Sequence, residues 1–382
     1  MKKRANLLRE FSIPLITGVI IALVWANLNQ EGYHHFIHAR LMGPLSVHFL
    51  TNDIFMVFFF GIAAAEITQN CMPGGDLYPI GRSVNPLLAT FGGVAGPVAI
   101  YLFLNALAGS PALVNGWGIP TATDIAISWL VARLVFGNNH PAISFLLLLA
   151  IVDDAIGLAI IAIFYPDPSQ PVAPGWLLLT CAGMLAAWIL RCRKAKSYWS
   201  YILLGGGLSW AGLHFSNLHP ALALVPIVPF LPHPLREEKE LFEEDPQDVS
   251  TLSTFEHEWK IIVDFGLFTF GLVNAGVSLS SLGPVTWFVL GALLVGKCAG
   301  ISACALLGGK IGFPLPEGME RRDLFLVGLI AGIGFTVSLF IADQAFVDQV
   351  LQEEAKMGAL LSIGLSVIAI VAGKLLAIKK RH

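Results

Sequence analysis

The sequence AISFLLLLAIVDDAIGLAIIAIF, residues 142–164, is an apolar run whose only charged residues are Asp153 and Asp154. A helix rises about 1.5 Å per residue, so this run crosses a hydrocarbon core of roughly 30 Å and places both carboxylates near the bilayer midplane. Insertion scales put the cost of one aspartate there at about 2.5 to 3.5 kcal/mol, and such a residue is a candidate functional group by default. The run therefore predicts a membrane span that handles ions or protons.

The rest of the chain has the composition of a membrane protein. Hydrophobic residues make up 55% of the 382 residues and charged residues only 13%, which excludes a soluble globular fold. The formal net charge of −3 says little about nucleic acid, and the charges cluster between apolar runs, so no nucleic-acid partner is expected. The five cysteines have no paired spacing, which argues against a disulfide framework and against a zinc site.

Apolar runs separated by helix breakers predict about twelve membrane spans, and hence an all-α polytopic membrane protein with one transporter domain over residues 1–382. The runs, numbered 1 to 12 in order, are residues 12–28, 50–68, 86–107, 117–135, 142–165, 174–192, 199–213, 218–231, 257–279, 284–307, 323–344 and 357–378. The first run follows a basic start without a convincing cleavage site, so a first span is favoured over a signal peptide. Residues 233–258 form a charged aqueous loop.

Lysine and arginine are distributed unequally between the loops on the two sides of the predicted membrane. Twenty of the 23 lie on one side, and only Arg40 and Lys356 lie on the other. Because cytoplasmic loops carry the excess of basic residues, the richer side is predicted to be cytoplasmic. The even number of spans then places both termini and the 233–258 loop in the cytoplasm. The remaining basic residue, Lys297, lies inside the tenth apolar run.

Spans 4 and 11 contain helix breakers at mid-depth, with polar residues beside them. These residues are Pro120, Thr123 and Asp124 in span 4, and Gly332, Gly334 and Thr336 in span 11. Each broken span is the middle of three, in residues 86–165 and 284–378, and the two groups are seven spans apart and so oppositely oriented. This arrangement predicts an inverted-topology repeat whose broken helices cross at mid-membrane, which is where a transporter binds its substrate.

The ends of broken helices carry partial charges that charged side chains can compensate. Where two half-helices meet, positive N-terminal ends and negative C-terminal ends, each with about half an elementary charge, face one another across apolar surroundings. Asp124 and Lys297 are therefore predicted to compensate these ends.

The sequence motifs resemble those of the NhaA-type sodium/proton antiporters over most of the chain. The matching motifs are Thr-Ala-Thr-Asp at 121–124, Val-Asp-Asp at 152–154, Asn-Ala-Gly-Val-Ser at 274–278, Gly-Lys at 296–297, Ala-Gly-Ile-Gly-Phe-Thr at 331–336, Asn52-Asp53, Glu66 and His219. The resemblance implies an electrogenic antiporter of the bacterial inner membrane that exchanges cytoplasmic Na⁺ or Li⁺ for external protons without a cofactor. It also implies a homodimer joined by an external hairpin at residues 30–48.

The resemblance also implies roles for individual residues. Asp153 and Asp154 would form the ion and proton site, with Asp154 the more direct ligand and Asp153 paired with Lys297. Three residues are candidates for a pH response, namely Glu66, His219 and Glu256. After Glu66 the family has a basic residue and a further acid, whereas this chain has Ile-Thr-Gln-Asn at 67–70, so we expect an altered pH response.

The residues themselves suggest a competition between a cation and protons for one site. Carboxylate oxygens are good ligands for hard cations, and two carboxylates at low dielectric cannot both ionise cheaply without one. Adjacent residues on a helix point about 100° apart, so we assign Asp154, together with Thr123, to bind Na⁺ and Asp153 to partner Lys297. The titrations of Asp153 and Lys297 are then coupled.

Other functions were weighed against antiport. A cation-coupled symporter of a small organic anion on a related fold is the alternative, because half-helix N-termini suit anionic groups. An acidic site with its one lysine engaged offers little to an anion, which favours antiport. An intramembrane aspartyl protease would take its two aspartates from different helices. His34, His35 and His38 have a spacing that suits a metal, but a cluster of loop histidines is the favoured interpretation.

Overall fold

The computed structural model describes residues 13–42, 45–72, 80–166, 171–195, 197–232, 251–376 and 378. Its helices are α1 Ile13–Leu28, α2 Gln30–His38, α3 Val47–Asn70, α4 Ile80–Ala108, a 3₁₀ helix Pro111–Thr121, α5 Ile125–Phe136, α6 Pro141–Phe164, α7 Pro174–Cys192, α8 at 198–215, α9 Thr251–Asn274, α10 Pro284–Lys310, α11 Arg321–Ala331, α12 Thr336–Ala345 and α13 Gln349–Leu375. The described chain is a helical, multi-pass membrane protein, in agreement with the predicted fold class.

Among the described residues, six helices are long and apolar enough to cross a membrane. They are α3, α4, α6, α7, α10 and α13, and the number reaches eight if each of two bent helix pairs is one span. Helix α6, which carries both aspartates, is central: half of its apolar window is buried, compared with 17% for α7. It packs against α3, α4, α5 and α11.

The predicted eighth span is not one continuous α-helix. Residues 218–231 form two short 3₁₀ helices, Pro220–Leu222 and Val228–Phe230, joined by turns. Pro220, Pro226 and Pro229 each lack a backbone N–H and each restrict the preceding residue, which prevents a regular helix here. Most of the predicted charged loop, residues 233–250, lies outside the described residues, and the chain is helical again from Thr251 rather than from residue 257.

A small β-hairpin follows α2 and adds strands to the predicted all-helical fold. Strands β1 Arg40–Met42 and β2 Leu45–Ser46 pair antiparallel, with Arg40 opposite Ser46. Asn29 is the N-cap of α2, and its side chain accepts a hydrogen bond from the Gly32 amide at 2.8 Å. Both elements lie within residues 30–48.

Two helices are broken at the breakers that the sequence contains. The Pro111–Thr121 helix and α5 meet at 56°, and α11 and α12 meet at 49°. Pro120 leaves the helical conformation at φ −84° and ψ 15°, and the backbone stays extended through Asp124. The two breaks are in contact, because the Asp124 amide donates to the Ile333 carbonyl oxygen at 2.7 Å.

Helices α4 and α10 approach each other backbone to backbone through four glycines. Gly92 and Gly96 on α4 face Gly296 and Gly300 on α10. A Cβ atom added to Gly92 would lie 2.1 Å from the Gly300 carbonyl oxygen, and one added to Gly300 would lie 2.0 Å from that of Gly92. Two GxxxG motifs thus form one close helix crossing, which we call the glycine contact.

We expect Gly300→Ala to destabilise the protein. The new methyl group would meet a backbone carbonyl, which cannot move aside as a flexible side chain can, and overpacking of this kind costs about 1–3 kcal/mol. Gly309→Ala is the matched control, because it lies in the same helix and its Cβ would have nothing within 4 Å. The melting temperature in detergent should fall for Gly300→Ala alone. Equal melting temperatures for both variants would contradict the close packing.

Candidate functional site

Asp153, Thr123 and Lys297 form a buried hydrogen-bonded group between α6, the break before α5, and α10. The Lys297 Nζ lies 2.5 Å from Asp153 Oδ2 and donates to Thr123 Oγ1 at 2.8 Å. Thr123 Oγ1 in turn lies within bonding distance of Asp153 Oδ2, at 2.8 Å, and of the Ala331 carbonyl oxygen, at 3.0 Å. Asp153 and Lys297 are both 0% exposed, so the lysine stays inside the protein rather than extending to the membrane surface.

A π-helical turn, Ala292–Lys297, ends at this lysine. Such turns insert an extra residue into a helix and are frequent at functional sites. The turn follows Gly291 and includes Gly296, which is part of the glycine contact. The local irregularity of α10 therefore coincides with the position of its buried charge.

Asp154 is next to this group but differs from Asp153 in its surroundings. It is partly buried, and its Oδ1 atom is inaccessible and has no hydrogen-bond partner among the described residues. Asp153 Oδ1 is likewise without such a partner, since Lys297 and Thr123 both contact Oδ2. The two aspartates therefore present carboxylate oxygens that no described side chain uses, and oxygens of this kind suit a hard cation or a proton.

Asp124 connects the N-terminal ends of two half-helices. It is the N-cap of α5, where Oδ1 accepts from the Ile127 amide at 3.0 Å. Its Oδ2 accepts from the Thr336 hydroxyl at 3.1 Å and from the Thr336 amide at 3.4 Å, at the start of α12. One carboxylate thus faces the positive ends of two helix dipoles.

Hydroxyl groups satisfy the opposite ends of the two broken helices. Ser128 on α5 donates to the Ile330 carbonyl oxygen of α11 at 3.1 Å, and Ser338 on α12 donates to that of Ile119 at 2.7 Å. Helix α5 therefore supplies a donor to the C-terminal end of α11, and α12 supplies one to the C-terminal end of the Pro111–Thr121 helix. Non-helical backbone at membrane depth needs such internal partners, because the surrounding hydrocarbon offers none.

We expect Asp124→Asn to lower both stability and transport. The amide keeps one acceptor oxygen but removes the negative charge that faces two helix ends, and a hydrogen bond to a charged group contributes about 1.5–3 kcal/mol. Asp348→Asn is the control, since Asp348 caps one helix only, at an exposed position where it accepts from the Val350 amide. Melting temperature and ion exchange should both fall in the first variant and change little in the second. Full retention of both by Asp124→Asn would contradict this role.

Of the three candidates for a pH response, Glu66 lies near enough to Asp154 for their charges to interact, and His219 and Glu256 contact other residues. Glu66 is on α3, and Gln69, one turn further on, donates to Glu256 Oε2 of α9 at 2.9 Å. His219 is 9% exposed and its ring packs on Phe340 of α12, with centroids 4.7 Å apart. Glu66 and Glu256 therefore belong to a pair of neighbouring helices, whereas His219 contacts a broken one.

The structure also shows a partly buried polar cluster that the sequence analysis did not single out. Asp343 on α12 is 11% exposed, and its Oδ1 accepts from Lys356 Nζ at 2.9 Å. Its Oδ2 lies 3.2 Å from His48 Nε2 and 3.5 Å from Asn52 Nδ2. We call these four residues the Asp343 cluster. Its sequence signal is weak, because Asp343 and Lys356 stand at ends of apolar runs, where charged residues are ordinary.

No group of three or more His, Cys, Asp or Glu side chains in the described ranges is arranged to hold a metal ion. His38 stacks on His48 at 6.0 Å and lies 6.3 Å from His34.

The fold and the site together define a class of protein: a multi-pass helical membrane protein with ionisable groups buried where two broken helices cross. The chain belongs to the Na⁺/H⁺ antiporter 1 family, whose model matches residues 7–376. It is 66% identical over 381 residues to the Na⁺/H⁺ antiporter NhaA of Geotalea uraniireducens, covering 100% of this chain and 99% of the relative. It is 65% identical over 380 residues to Na⁺/H⁺ antiporter NhaA 1 of Pelobacter propionicus and 62% identical over 380 residues to NhaA of Geobacter sulfurreducens, with 100% of each chain covered.

Proposed function

We propose that this chain is a secondary active transporter that exchanges cytoplasmic Na⁺ or Li⁺ for external protons. The observation that carries the proposal is the unshared carboxylate oxygens of Asp153 and Asp154 beside a buried lysine. Relatives of 62% to 66% identity over the full length are named Na⁺/H⁺ antiporters, which supports the same activity here. The symporter alternative has no support from these relatives, and the one buried lysine of the site is already paired with a carboxylate.

The exchange follows from competition for the site. When Na⁺ binds at Asp154, its charge makes ionisation of both aspartates favourable, so protons leave. When Na⁺ leaves, protons neutralise the repulsion between the carboxylates. Lys297 can give up its proton when Asp153 is drawn toward the ion, and exchange of more than one proton per cation would make transport electrogenic.

Thr123 takes part in two ways. In this structure its hydroxyl accepts from Lys297 and lies within donating distance of both Asp153 and Ala331. It therefore holds the lysine pair against the C-terminal end of α11, and it can bind the ion only when that pair opens. A change in the Asp153–Lys297 pair therefore acts directly on the end of α11, through the Thr123 hydroxyl.

We further propose twelve spans with both termini in the cytoplasm of a bacterial cell, in the inner membrane. The two helix groups at 86–165 and 284–378 form one six-helix body, related by an inverted repeat, that rocks against the remaining helices. The two bent pairs and their reciprocal Ser128 and Ser338 hydrogen bonds support the repeat. The distribution of lysine and arginine supports the orientation.

A homodimer through the hairpin region is part of the proposal. Strands β1 and β2 form a two-stranded sheet, and a two-stranded hairpin alone is marginally stable. Pairing with the same ribbon of a second copy would extend it to four strands.

The test is ion exchange in everted membrane vesicles that carry an imposed acid-inside gradient, followed with a pH-gradient dye. Addition of Na⁺ or Li⁺ should dissipate the gradient, and a potential across the membrane should change the rate. A gradient that stays unchanged on addition of either cation, at every pH from about 6.5 to 9 around the ordinary histidine titration, would contradict antiport.

A further inference from the structure

The Asp343 cluster joins the two bodies of the proposed antiporter. Asp343 and Lys356 lie in the 284–378 group, whereas His48 and Asn52 lie in the first turns of α3, outside both helix groups. Asn52 is also bound to Asn274 of α9 by a reciprocal amide pair, with nitrogen to oxygen distances of 3.1 and 2.8 Å. The cluster is therefore fixed on one side to α3 and α9 and on the other to α12 and α13.

One atom in the cluster, His48 Nε2, lies near both a donor and an acceptor. Asn52 Nδ2, a donor, is 3.0 Å away, and Asp343 Oδ2, an acceptor, is 3.2 Å away. A ring nitrogen without a proton can accept only from Asn52, and a ring nitrogen with a proton can donate only to Asp343. A neutral ring carries its one proton on either nitrogen, whereas a charged ring has a proton on both, so protonation of His48 fixes Nε2 as a donor to Asp343, across the boundary.

The members of the cluster differ in their exposure to water. Asp343 and Lys356 are 11% and 12% exposed and are held together, while the His48 side chain is 34% exposed and can exchange protons with water. Histidine changes its charge between about pH 5 and 8, which neither carboxylates nor lysines ordinarily do. A protonated imidazole that donates to a carboxylate forms a charge-assisted bond, about twice as strong as a neutral one.

Other charged and titratable groups lie on the elements next to His48. They are Glu31, Tyr33, His34, His35 and His38 on α2, Arg40 on β1, Asp53 beside Asn52, and Asp343 and Lys356 of the cluster itself. His38 stacks on the His48 ring, so a charge on both rings would be unfavourable. The Asp343 carboxylate favours a charge on His48. Its Oδ2 atom lies 3.2 Å from His48 Nε2, whereas the centroids of the His38 and His48 rings are 6.0 Å apart.

We propose that the Asp343 cluster is a proton-sensitive latch that holds the six-helix body against α3, and that protonation of His48 closes it. This rests on the proposed function, which supplies the two moving bodies. The charge-assisted bond forms only in the latched state, so latching is strengthened at low pH and weakened as the pH rises through the range in which a histidine loses its charge. On the orientation proposed above the latch faces the outside, and external acid therefore opposes separation of the bodies on that face.

The experiment is hydrogen exchange of α12, residues 336–345, in nanodiscs at pH 6 and pH 8, corrected for intrinsic exchange rates. Protection of α12 in the wild type should be greater at pH 6 by about tenfold, the factor that one bond to a charged group supplies. His48→Gln should remove this pH dependence, and His38→Gln, its neighbour in the stack, should keep it. The double variant Asp343→Asn/Lys356→Met, which removes the anchor without leaving a single charge, should also lose it.

Two outcomes would overturn the latch: wild-type protection that does not depend on pH, or a dependence that His48→Gln retains. The antiport assay on the same variants separates this failure from failure of the proposed function. If Na⁺ drives proton movement in the wild type but the hydrogen exchange does not respond to His48, only the latch is wrong. If the wild type moves no protons, the antiporter proposal itself fails.

Discussion

Asp154→Asn is expected to reduce Na⁺-dependent and Li⁺-dependent proton movement to the background of empty vesicles. The amide removes the carboxylate whose Oδ1 has no partner in the described chain, and with it the charge that both a cation and a proton require. Because the variant cannot bind a proton in exchange for an ion, raising the Na⁺ concentration should not restore activity. A retained but weaker activity at high Na⁺ would instead indicate that Asp154 only assists binding.

The control for this variant is Glu320→Gln. It makes the same change from carboxylate to amide at a residue that is 62% exposed and paired with Arg322 on the surface. Exposed ion pairs contribute about 0–1 kcal/mol, so transport and melting temperature should stay close to the wild type. Proton release on addition of Na⁺ to the purified protein, measured by calorimetry in buffers of different ionisation heat, should disappear in Asp154→Asn and persist in Glu320→Gln.

Lys297→Met is expected to give the largest loss of stability. Removal of the lysine leaves Asp153 buried without its cation, and breaking a buried ion pair in this way costs about 3–5 kcal/mol. Asp153 is 0% exposed, so water cannot take the place of the ammonium group. We expect a strongly lowered melting temperature in detergent, together with loss of ion exchange.

The double variant Asp153→Asn/Lys297→Met separates the two contributions of this pair. A protein with a neutral pair of similar volume is often as stable as one with the buried ion pair that it replaces. The melting temperature of the double variant should therefore lie close to that of the wild type and well above that of Lys297→Met. Ion exchange should not return to the wild-type mode, because both titrating groups are gone. If Lys297→Met alone were as stable as the wild type, the ion pair would not be a structural element of the fold.

The site residues could be predicted from the sequence because each is a polar residue in an apolar setting. Asp124, Asp153, Asp154 and Lys297 stand out in membrane spans, where a charge is costly. The breaks could be predicted from Pro120 and from the glycines before Thr336. The pairing of Lys297 with Asp153, 144 residues apart along the chain, is predicted with the help of the family resemblance, whereas the Thr123 hydroxyl that contacts both could not be placed from the sequence.

Other features left weaker signals or none. The glycine contact could have been found from the two GxxxG motifs at 92–96 and 296–300. The π-helical turns at Leu50–Phe55 and Ala292–Lys297 have no sequence signature that the apolar pattern reveals. The predicted eighth span is wrong as one continuous helix because Pro220, Pro226 and Pro229 interrupt its apolar run. The Asp343 cluster joins residues that each look ordinary at the end of an apolar run.

The glycine contact has a consequence for how the protein responds to its lipid environment. With no side chains between the two backbones, lipid tails cannot enter between α4 and α10, and neither helix can tilt without the other. A helix usually adapts to a thinner or thicker bilayer by changing its tilt. Here such an adjustment must turn both helices together, and it would carry Lys297 along with it. Bilayer thickness should therefore affect the rate of exchange, which reconstitution into lipids of graded chain length would measure.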